Sequence, residues 1–292
     1  SYAKEKRHNF KYRDANGNAH EFPDTFVNRY DVTARLDHYF GKDRATIDFS
    51  RSERNDGYGN YLTDALNGIS YNPEGTKFHS IITDLGLTYT FNQKDKGDGT
   101  FVRMSRLQDK TDSPFAGAHY SHRLVGQTVE GQKAWDLGKH HLVAGTSWEE
   151  QHLQEENAGT MDKKAITKAV FAEDRWDLGR GWSSNLGGRY EHHSAFGGDW
   201  TGHVGLNKRI GNDTHAYLSW GTAVNNPTLK MLYADSAYMR GNPDLKPEKS
   251  NTWTLGVESK VTARLSLDAS LYQSKVKDAL YWQWSPATLT RY

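Results

Sequence analysis

The side chains of this chain best suited to gripping a ligand are aromatic rings with polar tips. Tyr58, Tyr61, Tyr71, Tyr233, Tyr238, Trp282 and Trp284 all fall in long polar connections rather than in regular segments. Flat amphipathic rings suit a large ligand that is partly apolar and partly polar. Arg240, in the same kind of stretch, would attract an anion. Tyr and Trp also mark membrane interfaces, so the rings have a positional reading as well.

Other chemistry is harder to build. The 13 histidines include His140-His141 and His192-His193, but neighbours on a strand point to opposite faces and cannot share one metal. Asp56, Asp64 and Asp235 carry the right oxygens for calcium without a ligand-spaced loop around them. Ser121-His122 imitates a hydrolase pair, yet adjacency separates the two across a strand, and no nucleophile elbow or metal signature occurs. Cysteine is absent, which excludes disulfides, thiolate sites and Cys nucleophiles. No catalytic residue, metal site or cofactor is expected. A net charge of +1 gives no electrostatic case for nucleic acid.

The elements that must hold these residues are strands. Trp253, Leu255, Val257 and Val261 share one face, opposite Thr254, Gly256, Glu258 and Lys260. Leu265, Leu267, Ala269 and Leu271 oppose Ser266, Asp268 and Ser270, and Tyr30, Val32, Ala34 and Leu36 oppose Asp31, Thr33, Arg35 and Asp37. A period of two means strand, and no stretch keeps a helical period. The pattern places strands near 25–40, 43–55, 79–93, 99–110, 121–136, 140–152, 165–178, 182–193, 200–210, 214–224, 250–261 and 264–277, with residues 1–12 as the end of another.

The connections alternate in length. Short ones fall at 41–42, 94–98, 137–139, 179–181, 211–213 and 262–263, and longer ones at 56–78, 111–120, 153–164, 194–199 and 225–249. Short turns at one end and long loops at the other are the rhythm of a transmembrane barrel. Mean hydropathy is −0.85, low for a membrane protein, but only every second residue of a barrel strand meets lipid. The 16 Tyr and 9 Trp suit the interfacial girdles of such a barrel. The expected fold is therefore all-β: an antiparallel transmembrane β-barrel with about twelve strands present. In lipid an open edge leaves bare backbone groups, so closure is required.

Two boxes stand out, Gly221-Thr-Ala-Val-Asn-Asn-Pro-Thr-Leu-Lys-Met-Leu-Tyr233 and Gly241-Asn-Pro-Asp-Leu-Lys-Pro-Glu-Lys-Ser250. They resemble the "APTL..LY … GNP.LKPE.S" signature of TonB-dependent outer-membrane receptors. Val170-Phe-Ala-Glu-Asp-Arg-Trp-Asp-Leu178 is similar to that family's "FAQDEW.L" strand, and Leu186-Gly-Gly-Arg-Tyr-Glu191 to its "GLRYD" strand. The close matches span 165–278, in family order; residues 1–164 match in strand rhythm only. The motif residues are Asn226, Pro227, Leu232, Tyr233, Asn242, Pro243, Leu245, Pro247 and Glu248. They read as turn formers and strand enders rather than as ligand contacts, with Asp174 as an interior charge and Trp176 as a girdle aromatic.

The resemblance implies a barrel of about 22 strands with a plugged lumen. Residues 1–292 are then a partial barrel domain with long extracellular loops, the plug and the final strands being absent from it. It further implies a multi-pass outer-membrane location, surrounding lipid, a metal-chelate ligand and energisation by TonB through a plug domain not in this chain. A ferric siderophore is the favoured cargo. Cobalamin and heme are the alternatives within the family, and the Ala234–Arg240 segment between the boxes lacks the histidine of heme receptors. A passive twelve-stranded pore and a barrel-wall enzyme are the rivals from other classes.

Overall fold

The computed structural model describes residues 1–9, 11–13, 16–21, 26–58, 76–92, 99–115, 118–156, 160–235 and 240–281. The N-terminal strands are β1 (Tyr2–Arg7), β2 (Lys11–Arg13), β3 (Ala19–Glu21), β4 (Val27–Phe40) and β5 (Asp43–Tyr58). Then come β6 (Thr76–Phe91), β7 (Thr100–Phe115), β8 (Ala118–Leu137), β9 (His140–Glu156) and β10 (Thr160–Gly179). The remainder are β11 (Trp182–His193), β12 (Gly197–Ile210), β13 (Thr214–Asn225), the short helix α1 (Leu229–Tyr233), β14 (Glu248–Thr262) and β15 (Leu265–Lys277).

Thirteen strands form one antiparallel sheet in the order β1-β4-β5 and onward to β15, each beside its sequence neighbour; β2 and β3 make a separate hairpin. The twelve strands expected from alternation are all present, and β1 is the additional one at the start. Only β2, β3 and α1 lie outside that expectation. Among the described residues β1 and β15 each pair on one side only.

Alternation decides which way each strand turns. On β11, β12, β13 and β14 the register sets Leu186 opposite Val204, Val204 opposite Trp220, and Trp220 opposite Trp253. These apolar side chains share one face; Leu186, Val204 and Trp253 are exposed and Trp220 is partly so, and Leu186 is 60% and Leu271, on the same face of β15, 74% accessible. No large side chain among the described residues is fully buried, so the sheet has no enclosed core to hold this stripe. An apolar face of this extent has to leave water for another medium. The opposite face is polar and internally neutralised: Arg35 with Asp37 (2.9 Å), Arg175 with Glu173 (3.1 Å) and Arg189 with Glu191 (3.1 Å) pair two residues apart on one strand, the spacing that shares a face.

Rings bracket the apolar band. Trp220 and Trp253 lie 6.1 Å apart and Tyr190 and Trp200 5.0 Å apart towards the long-loop end; Tyr89 and Phe91, 4.8 Å apart, mark the other. At that other end Gly41 and Gly138 open two-residue turns with φ of 64°, a conformation glycine adopts without a Cβ penalty.

The connections differ from expectation in three places. The expected longer link at 194–199 is only three residues, since β11 ends at His193 and β12 starts at Gly197. The segments 111–120 and 153–164 are mostly strand, because β7 runs to Phe115, β8 starts at Ala118, β9 runs to Glu156 and β10 starts at Thr160. Strands β8 and β10 are 20 residues long, while about 9–11 suffice to cross a bilayer. The excess projects beyond the apolar band, where both faces are wet and alternation fades. Asp174 is also not an interior charge. It shares the outer face with Trp176, where His140 bonds its carboxylate at 2.7 Å and stacks on the indole at 4.9 Å.

Candidate functional site

The two sequence boxes run from the end of β13 through the connection to the start of β14, and they fold onto each other. Thr228 caps α1 in an extended conformation and accepts from the Met231 amide at 3.2 Å, the ordinary N-cap bond. The amide of Asn242 donates to Met231 O (2.8 Å) and that of Gly241 to Ala234 O (2.6 Å), so the second box closes the helix of the first. Asp235 and Arg240 form an isolated bridge between them. The Asn242 side chain then accepts from the Asp244 amide at 2.9 Å, an Asx turn that starts the return towards β14.

This unit is packed against the inner face of the sheet. Leu229 and Leu232 are buried, and Leu229 joins Leu153 of β9 and Met161 and Ala165 of β10, with Leu124 of β8 against the group. Beside that apolar contact sits a polar one. Lys230 Nζ donates to Tyr120 Oη at 3.0 Å and pairs with Glu155 at 3.2 Å. Tyr120 Oη donates to the same carboxylate at 3.3 Å, and His122 Nδ1 lies 3.7 Å from it. Burial alone would lower the pKa of Lys230, but the Tyr120 hydrogen bond and the Glu155 charge outweigh it and hold the ammonium above its ordinary value. Lys163 stands over the Tyr233 ring at 4.8 Å.

Next to the docked unit is a polar cavity of about 200 Å³, lined by Arg189, Glu191, His193, Asp199, Thr201 and Asn226, among others. Arg189 bonds Glu191 at 3.1 Å and Ser147 at 3.3 Å. Asn226 Nδ2 donates to Glu191 Oε1 at 3.2 Å. Lys249 pairs with Asp199 at its edge. The cavity offers cations, carboxylates and an amide together, the lining of a site for a polar guest or a partner backbone.

Of the ligand-contact residues expected from sequence, Tyr61, Tyr71, Tyr238, Trp282 and Trp284 lie outside the described residues, as does the side chain of Tyr58 at the end of β5. Tyr233 sits on the docked helix, and Arg240 is exposed with Asp235 3.7 Å away. Of the motif residues read as structural, Leu232, Tyr233 and Asn242 build the fold-back, whereas Asn226 reaches the cavity. The calcium candidates Asp56 and Asp235 are paired with Arg54 and Arg240, and Asp64 lies outside the described residues. Arg189, Glu191, Tyr120, Glu155 and Lys230 were not singled out from sequence. A signal existed for two of them: Arg189 and Glu191 alternate with Gly188 and Tyr190, which sends both charges to the inner face.

A sequence model of the family described as "TonB dependent receptor-like, beta-barrel" matches residues 4–292. The chain is 25% identical over 155 residues, 41% of its length, to the ferrienterobactin receptor of Escherichia coli, covering 21% of that protein. It is 31% identical over 108 residues, 35% of its length, to the vitamin B12 transporter of Vibrio vulnificus, covering 17% of it. Its fold superposes on the Serratia marcescens hemophore receptor HasR with a TM-score of 0.75 at 11% identity, over 99% of this chain and 53% of that one. The chain thus spans about half of that solved receptor and about a fifth of the two relatives.

Proposed function

The chain belongs to the TonB-dependent receptor β-barrel family, and from that premise we propose that it forms the wall of an outer-membrane receptor that captures a metal chelate, most favourably a ferric siderophore, for TonB-coupled import. The family is one of receptors and transporters rather than enzymes. The observation that carries the reading is the inward fold of the β13–β14 connection. It covers the inner faces of β9 and β10 towards the long-loop end and leaves a hydrogen-bonding cavity beside it.

In this reading the outer loops make first contact. Tyr58, Tyr61, Tyr71, Tyr238, Trp282 and Trp284 offer rings, and Arg240 and Tyr233 extend from the docked unit. The guest then meets Arg189 and Asn226 on the inner wall. A plug domain outside this chain would bind the same polar wall and carry the contact with TonB. The ferrienterobactin receptor among the relatives supports a siderophore; the vitamin B12 transporter keeps cobalamin as the second reading, and the heme-bound HasR complex shares only the fold.

The test uses the whole receptor that carries this chain. Ferric enterobactin, cyanocobalamin and hemin are titrated against its tryptophan fluorescence, and uptake is followed in cells with and without a proton gradient. Saturable binding of the ferric chelate and gradient-dependent iron uptake are expected. Binding of cyanocobalamin alone would reassign the cargo, and ion conduction by the unliganded protein without energy would remove the receptor reading.

A further inference from the structure

The outer face of β7 and β8 carries three cations that the transport reading does not use. Val102 and Met104 face outward on β7 and are 42% and 53% exposed. Arg106 and Lys110 continue the same face, and Arg123 follows on β8 directly opposite Lys110 in the register. All three are exposed. None has an ion pair or hydrogen bond among the described residues, and Asp112, the next acid on that face of β7, already has an interaction of its own.

Two like charges opposite each other on neighbouring strands, with Cβ atoms about 5 Å apart, repel and are destabilising. Such a pair is tolerable where an anion sits between them. The level of the pair says which anion. Arg106 is opposite Leu85, which is exposed and apolar, and Gln127. Ile81 stands opposite Lys110, and Val125 lies two residues after Arg123 on the same face, so the patch overlaps the margin of the apolar stripe on the side of the long loops. An amphiphile whose tails cover Leu85, Val102 and Met104 would carry its headgroup to this height, and long cationic side chains reach to that level readily.

We propose that Arg106, Lys110 and Arg123 form a binding site for a phosphate-bearing lipid headgroup in the leaflet at the long-loop end. The lipid is held by its acyl chains on the apolar stripe and by its phosphate between Lys110 and Arg123, with Arg106 closing the lower side. Phosphate is the fitting group because its several oxygens accept from an ammonium and a guanidinium at once.

The test is retention of lipid A, a bisphosphorylated acylated disaccharide, by the detergent-purified whole receptor, read by native mass spectrometry. The Arg106→Gln/Lys110→Gln/Arg123→Gln receptor should lose at least about tenfold in retention, while Lys133→Gln, an outward cation near the opposite girdle, should not. Dephosphorylated lipid A should be retained as weakly by the native protein as lipid A is by the triple variant. Equal retention of the two lipids, or by the two proteins, overturns the proposal. Displacement by inorganic phosphate at matching concentration overturns the lipid as the source of the anion. Should the triple variant fail to fold, Lys110→Gln alone carries the test, and unchanged retention there overturns the site.

Discussion

Gly241 lies against the end of α1 so closely that a Cβ there would stand 2.7 Å from the carbonyl carbon of Leu232 and 2.8 Å from the Ala234 nitrogen. Backbone atoms cannot swing aside as a side-chain tip can. The glycine that opens the second box is thus required by the helix in the first, which is a physical reason for the two to occur together.

Gly241→Ala should therefore prise the boxes apart. A cost of about 1–3 kcal/mol is expected, the usual range for overpacking. Faster hydrogen exchange at Asn242 and Gly241, with exchange in β9 unchanged, would verify it; unchanged exchange would show that the close approach is not strained by a methyl group.

Lys230→Met should loosen the same unit by leaving Glu155 buried without its cation, at about 3 kcal/mol. Combining it with Glu155→Gln should recover part of that loss. A double-mutant cycle measured by thermal unfolding checks this, and strict additivity would mean that the pair does not interact.

The same contact has a pH signature. The pKa of Lys230 is raised in the folded state, so its contribution is complete below the ordinary lysine value of about 10.4 and is lost as pH rises through the higher folded value. Docking of α1, followed by a fluorophore on the loop, should hold through neutral and mildly alkaline pH and fail only in strong alkali. Release near neutrality would assign control to a group other than Lys230.

Leu255→Arg puts a charge on the outer stripe and should cost about 2–4 kcal/mol in a bilayer if it lies near the midplane. Thr254→Arg, one residue earlier and on the polar face, should cost much less. Unfolding of both in phospholipid vesicles compares the faces; equal costs would sink the assignment of the stripe to lipid.

Arg189→Ala should weaken ligand binding more than stability. It removes the cation that orders Glu191 and Ser147 at the cavity but leaves the sheet register intact. Fluorescence titration against ferric enterobactin and a melting curve separate the two effects.

The sequence by itself determined the strands and their faces. Trp253, Leu255 and Val257 alternate with Thr254 and Glu258 because one side meets an apolar medium and the other does not, and that difference is written at every second position. It also carried the family through the two boxes. Where both faces are wet, as along 111–120 and 153–164, the contrast vanished and loops were expected where strands continue. The joining of Lys230 to Tyr120 and Glu155 was decided by tertiary structure alone. Lys230 lies 110 positions from Tyr120 and is also remote in sequence from the strand that carries Glu155, and no local period links them. Only the path of the sheet, which brings the β13–β14 connection over the inner faces of β8, β9 and β10, sets an ammonium beside a carboxylate that would otherwise be buried unpaired.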